Sequence, residues 1–292
     1  MKRWFRTAVL WVMRSISALP LPIVRGLGWM FGQVLHVLAR DRKHIALTNW
    51  RLCFPGDDEA TRQRAVKAHF VAFAQAWLDR SWLWHAPRDV VAQRVRLTGC
   101  VEALQGQAPV VLFAPHFVGL DAGWAGVTLH LPRTCCGLYA PQQDELVDNW
   151  MAQGRKRFGD PQVIAKWQGL KPLAAAVRAG KPLYLLPDMD HGLHDSVWSL
   201  FYGHQVATLT SLPRFAALGR AKVVPVMTRL TAQGYDVEVL PAWDGYPSAD
   251  LSADVARMNS ELERMIAAQP EQYYWVHKRF KTRPPGESSV YG

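Results

Sequence analysis

Apolar and polar positions first fall into a helical period at the N-terminus. At 100° per residue, Arg3, Arg6, Thr7, Arg14 and Ser17 share one arc of about 100°. Trp4, Phe5, Ala8, Val9, Trp11, Val12 and Ile16 cover the other side. This predicts a helix over residues 3–17 that lies in a membrane interface with a basic polar face. Pro20 and Pro22 are expected to end it. The next apolar run, residues 26–39, is 14 residues long. That is short of the roughly 18–20 a spanning helix needs, so one-sided attachment is the expectation. Arg14 breaks the first run and no small-x-small site follows, which argues against a cleaved secretory signal.

Further along, helices are predicted over 41–52 and 58–84. The second is capped by Asp57 or Asp58 and turns Ala65, Ala68, Phe70, Phe73, Trp77 and Leu78 inward. Pro87 opens a new unit, after which the pattern alternates. Strands are predicted over 94–97, 109–113, 134–139, 181–186, 222–228 and 235–240. Helices are predicted over 117–131, 142–158, 170–179, 208–218 and 251–268, with Gly180 and Gly219 as stop signals. The alternation implies an α/β fold, a mixed, mostly parallel sheet flanked by helices. A membrane-associating helical segment over 1–40, an α/β domain over 41–284 and a flexible tail over 285–292 follow.

Charge sharpens the N-terminal expectation. The net charge is +10, and residues 1–51 hold nine Lys/Arg against one acid. Basic charge on an apolar end suits an anionic membrane surface; no nucleic-acid motif accompanies it. The cysteines, Cys53, Cys100, Cys135 and Cys136, form no C-x-x-C and no disulfide framework, which fits a reducing, cytosolic-side location.

One segment reads as chemistry. An apolar run, residues 109–113, ends in Ala114-Pro115-His116, and Asp121 follows five residues after the histidine. Composition alone gives about one such His-x4-acid pair, and His36 with Asp41 is another. Only His116 follows a predicted strand, where the working loops of such sheets lie. A base at His116 with Asp121 as its orienting carboxylate suits acyl or proton transfer. No G-x-S-x-G elbow is present, so direct attack by an acceptor hydroxyl on a thioester fits better than an acyl-enzyme. The run from Asp188 to Asp195 (with Asp190, His191 and His194) also follows a strand. Pro187 and Gly192 make it a loop, favouring a polar substrate-binding role over a metal site, although a metal-dependent hydrolase is the rival. Lys278, Arg279, Lys281 and Arg283 form a basic cluster suited to phosphates or an acidic protein.

Several blocks carry a resemblance. They are Asn49-Trp50-Arg51-Leu52-Cys53-Phe54-Pro55, the His116–Asp121 block, Gly154-Arg155-Lys156-Arg157, Leu186-Pro187-Asp188-Met189-Asp190-His191-Gly192, and the long C-terminal block from Pro270 to Pro284. In that order they resemble the lauroyl/myristoyl acyltransferases of lipid A biosynthesis. Two positions depart: Ala140 stands where that family has Arg in Y-R-P, and His191 stands where it has an aromatic residue. The resemblance implies a glycerolipid-acyltransferase-like fold and an enzyme on the cytoplasmic face of the inner membrane. Such an enzyme moves an acyl chain from acyl carrier protein to a lipid A precursor, or to another hydroxylated lipid, without metal or cofactor. It further implies His116 as general base with Asp121, Arg155 as an anion contact and Asp188 at the acceptor site; Asp190 in the polar loop, and Lys278 and Arg279 in the basic cluster, are further expected substrate contacts.

Overall fold

In the computed structural model, residues 3–292 are described, apart from the side chains of residues 3–6 and Lys166. Lys2, counted in the N-terminal charge, and the side chains of Arg3, Trp4, Phe5 and Arg6, expected on the two sides of the first helix, lie outside the described residues. The N-terminal part is helical: α1 (Arg3–Ile16), α2 (Leu21–Leu38), α3 (Arg40–Cys53) and α4 (Glu59–His85). Pro22 sits in the first turn of α2, where its missing N–H costs nothing and its fixed φ suits a helix. That moves the helix start back to Leu21. The 18 residues of α2 are long and apolar enough to cross a membrane by length and composition, unlike the shorter run expected.

One face of α2 is docked. A Cβ on Gly28 would lie 2.7 Å from Gln75 Cα, and one on Gly32 would lie 2.5 Å from Val71 Cα. Two glycines a turn apart thus let α2 and α4 meet backbone to backbone. The outer face leaves Trp29, Met30, Val34, Val37 and Leu38 exposed. Arg25, counted with the basic surface from sequence, turns inward instead. It pairs with buried Asp79 at 2.9 Å, and Asp79 also accepts hydrogen bonds from Trp82 Nε1 and Tyr235 Oη.

The rest alternates: α5 (Arg88–Arg94), β1 (Val95–Gly99), β2 (Val110–Phe113), α6 (Leu120–His130), β3 (Cys136–Tyr139), α7 (Glu145–Arg155), β4 (Gln162–Ala165), α8 (Lys171–Arg178) and β5 (Leu183–Leu185). Then come β6 (Ser196–Phe201), β7 (His204–Leu209), α9 (Ser211–Gly219), β8 (Lys222–Thr231), β9 (Gly234–Val239) and α10 (Leu251–Ala268). Seven strands form a sheet ordered β1-β9-β8-β2-β5-β3-β4. From β8 to β4 the pairs are parallel; β9 runs antiparallel to β8, and β1 is parallel to β9. The mixed, mostly parallel α/β sheet flanked by helices is therefore present.

Strand alternation divides the core in two. Val110, Leu112 and Tyr184 face α6, with Trp124 and Val127. Val111, Phe113, Leu183 and Leu185 face the other way, toward Leu173 of α8 and Leu212 and Phe215 of α9. Leu21 and Val24 place the start of α2 on the α6 side.

Two strands of a hairpin, β6 and β7, escaped the sequence pattern. Their two-residue turn uses Tyr202 at φ 48° and Gly203 at φ 77°, and a tyrosine at positive φ gives no turn signal. The tail expected to be flexible is anchored: Tyr291 is buried and its hydroxyl bonds Asn49 and the backbone N–H of Phe280.

Candidate active site

β2 and β5 are parallel neighbours, with Phe113 opposite Leu185. Each strand is broken two residues later by proline, Pro115 and Pro187, and each delivers a polar residue at the third position. Equal offsets from a shared register bring His116 and Asp188 together. The Asp188 carboxylate takes two hydrogen bonds from one residue: the His116 backbone N–H to Oδ2 at 3.0 Å, and His116 Nδ1 to Oδ1 at 2.8 Å. Tyr273 Oη donates to Oδ2 at 3.1 Å. Burial alone would raise the Asp188 carboxyl, but His116 beside it outweighs that and holds it below the usual range. An ionised carboxylate only accepts, so Nδ1 carries a proton, and in the neutral form of the ring Nε2 is the nitrogen with the lone pair. The Asp188 side chain is fully buried, whereas His116 is 20% exposed and lines a cavity.

The C-terminal block holds this arrangement. Phe117 pairs with Tyr273 as an antiparallel bridge, and Tyr274 N–H donates to the His116 carbonyl at 2.9 Å. Asp190, expected at the acceptor site, instead receives Thr282 N–H and Oγ1–H at 2.7 and 2.8 Å. His277 Nε2 accepts from the Asp190 N–H at 3.0 Å, and burial lowers His277 to about 4, so it is neutral and able to accept. The two loops and the C-terminal strap are thus tied into one body.

Asp121 does not meet His116 in this structure. It stands in the first turn of α6 and is buried, with Oδ1 2.9 Å from Arg155 Nε and Oδ2 2.7 Å from Arg80 Nε. Burial would raise its carboxyl; Arg155 and then Arg80 overcome this and hold it at about 2. The turn over 117–119 carries the chain away before α6 starts, so the carboxylate that His116 meets in this structure comes from the loop after the neighbouring strand rather than from five residues on. Arg80 gives no motif signal because it lies inside a long helix, near its C-terminal end, with no flanking chemistry of its own. Tyr273 and His277 lie within a block that sequence singled out, but without a role.

The cation cluster also differs from expectation. Arg279 is 2% exposed, donates to the Ala207 carbonyl and Thr208 Oγ1, and lies over the Phe201 ring. Lys278 lies over the Tyr291 ring. Neither lines the cavity; Arg279 is spent on buried carbonyl and hydroxyl groups, whereas Lys278 stays exposed to solvent. The metal rival loses its ligands similarly: Asp188 and Asp190 are spent on hydrogen bonds, and His194 is exposed beside Asp195. Among the described residues no group of three or more His, Cys, Asp or Glu gathers to hold a metal.

The cavity measures about 830 Å³ and wraps the C-terminal end of the sheet, with His116 between its two sides. On the α6 side lie Asp121, Trp124, Tyr139 and Arg155; on the α8–α9 side lie Leu170, Ala174, Phe215 and Leu218. Ala140 and His191, the two departures, both line it. A mostly apolar space with a few polar groups around an imidazole suits an amphiphile with a long chain.

Compared with known proteins, residues 1–282 match the family described as bacterial lipid A biosynthesis acyltransferase. The chain is 30% identical to the lipid A biosynthesis lauroyltransferase of Escherichia coli K12, covering 99% of this chain and 94% of that protein. The palmitoleoyltransferase of that strain is 29% identical over the same shares. Its myristoyltransferase is 30% identical, covering 92% of this chain and 83% of that protein.

Proposed function

The chain belongs to the bacterial lipid A biosynthesis acyltransferase family, and is thus an acyltransferase; on that premise we propose that it moves a fatty acyl chain from an acyl carrier protein thioester to a hydroxyl of a lipid A precursor, at the cytoplasmic face of the inner membrane. The acceptor oxygen adds to the thioester carbonyl carbon as His116 Nε2 takes its proton. The C–S bond then breaks, and the imidazolium gives the proton to the departing thiolate. Ester and free thiol are the products, and His116 is regenerated. The Asp188 carboxylate keeps the tautomer and stabilises the imidazolium in transit. The 2.8 Å contact between His116 Nδ1 and Asp188, with His116 on the cavity wall, is the observation that carries this reading.

Asp121 acts on cations rather than on the base. It holds Arg155 at the cavity wall, where the guanidinium meets an acceptor phosphate or the anion of the reaction. The exposed apolar face of α2 supports attachment to the membrane that contains such an acceptor. A second acceptor class, another hydroxylated lipid, is favoured by Ala140 and His191 on the cavity wall. Mass spectrometry of the product from acyl carrier protein and lipid A precursor tests the reaction. The expected result is one added acyl ester with the native chain and none with His116→Ala; unchanged transfer by that variant refutes the base.

A further inference from the structure

The segment from Pro161 to Tyr235 has only three acids, Asp188, Asp190 and Asp195. The first two are buried, and the third pairs with Arg214 at 2.7 Å. Helices α8 and α9 contain no acid and pack against each other on the side of the sheet opposite α6. Lys171, Arg178, Arg214 and Arg220 are all exposed there. Between them stand large exposed apolar groups: Trp167 at 78%, Leu170 at 53% and Leu218 at 37%. Leu170, Lys171, Arg214 and Leu218 also line the cavity, so this rim is continuous with the space beside His116.

We propose that the α8–α9 rim docks an acidic protein that presents the acyl thioester on a flexible arm. This rests on the acyl-transfer reading above and assigns the donor an entrance. A donor protein cannot enter a cavity of about 830 Å³, so it must sit at a mouth and send the chain inward. α2, with its exposed apolar face, packs chiefly on α4 and α3 rather than on α8 or α9, so the membrane-facing helix leaves this rim free for a protein. The rim's few apolar groups, set among four cations, have the mixed character of a protein interface rather than the continuous apolar face that α2 presents.

The test measures acyl transfer from acyl-acyl carrier protein and, separately, from the same acyl group on a short neutral thioester. The variant Arg178→Glu/Arg220→Glu changes two exposed residues outside the cavity lining. With the carrier donor, KM is expected to rise about tenfold with kcat kept, and the native KM to rise with salt. With the short thioester both constants stay native, which also shows that the variant folds. Equal losses with both donors, or native KM with the carrier, overturn the docking surface. So does a variant that keeps its carrier KM but no longer sediments with phosphatidylglycerol vesicles, because the rim then binds membrane. A native chain that uses neither donor overturns the acyl-transfer reading itself.

Discussion

Asp188→Asn separates the two candidate partners of the base. Asp188 Oδ2 faces two donors, the His116 backbone N–H at 3.0 Å and Tyr273 Oη at 3.1 Å. A carboxamide NH2 placed there would oppose a backbone N–H that only donates, so the carboxamide oxygen takes that side. Its NH2 then faces His116 Nδ1 across the present 2.8 Å. Nδ1 is forced to accept, the ring proton moves to Nε2, and the nitrogen that should take the acceptor proton already holds one. A base locked in the wrong tautomer is expected to lose about 10³–10⁴-fold in kcat, or roughly 4–5.5 kcal/mol of transition-state stabilisation. KM for the acceptor should stay near native, because the Asp188 side chain is fully buried and touches no cavity space. Asp121→Asn leaves the tautomer intact and weakens the hold on Arg155, so its main effect should be a KM increase of about tenfold. Steady-state kinetics on both purified variants decide it. If Asp188→Asn keeps more than about a tenth of native kcat while Asp121→Asn loses a thousandfold, Asp121 is the partner and the reasoning from hydrogen-bond directions is wrong.

Three further outcomes are expected. His69 is buried, burial holds it at about 4, and its Nε2 has no hydrogen-bond partner among the described residues. The unfolded chain therefore binds the extra proton first, and stability that is full above about pH 6.5 falls as pH drops toward 4. The loss between pH 7 and 5 is about 2 kcal/mol, and urea melts of the native chain against His69→Leu should show it shrink in the variant. Asp79→Ala leaves Arg25 buried without its carboxylate and should cost about 3–5 kcal/mol in the same melts; a loss under 1 kcal/mol would mean that Arg25 escapes to solvent. Gly32→Val drives a side chain into the Val71 backbone, so α2 should lift from α4 and its amides exchange faster with solvent; unchanged exchange rates would contradict the close packing.

The parts legible in the sequence are those with a local cause. Asp58 accepts the N–H of Thr61 and starts α4 where a cap was expected, and the strand before His116 is an unbroken apolar run. The parts that were hidden have causes elsewhere in the chain. β4 is four residues long and only half buried, too short for a period-2 pattern to stand out. Arg80 meets Asp121 from 41 residues upstream, and nothing around it distinguishes it from the other arginines of α4. The His116–Asp188 pair was half visible: both residues were placed after strands, but only the β2–β5 register says that those strands are neighbours. The basic residues near the C-terminus misled because Arg279 satisfies buried carbonyl and hydroxyl groups, a role that charge counting does not distinguish from phosphate binding.

Two carboxylates near one histidine are held ionised by different means, and this divides their work. Asp121 is held near 2 by two guanidinium groups, so most of its field is already cancelled by Arg80 and Arg155. It adds little to an imidazolium, and its removal would leave two cations facing each other beside the cavity. Among the described residues Asp188 has no guanidinium partner; its donors are the His116 ring and backbone and the Tyr273 hydroxyl. Its charge is therefore not cancelled by a cation before it reaches His116, and the attraction between the two strengthens as the ring takes a proton. Tyr273 comes from the C-terminal strap that Asp190 anchors through Thr282, so the base is set only when residues more than 150 positions apart have closed on each other. Thr282→Val removes the Oγ1–H half of that anchor and keeps the backbone N–H half, and should therefore lower kcat through the geometry of His116, although Thr282 lies outside the cavity lining.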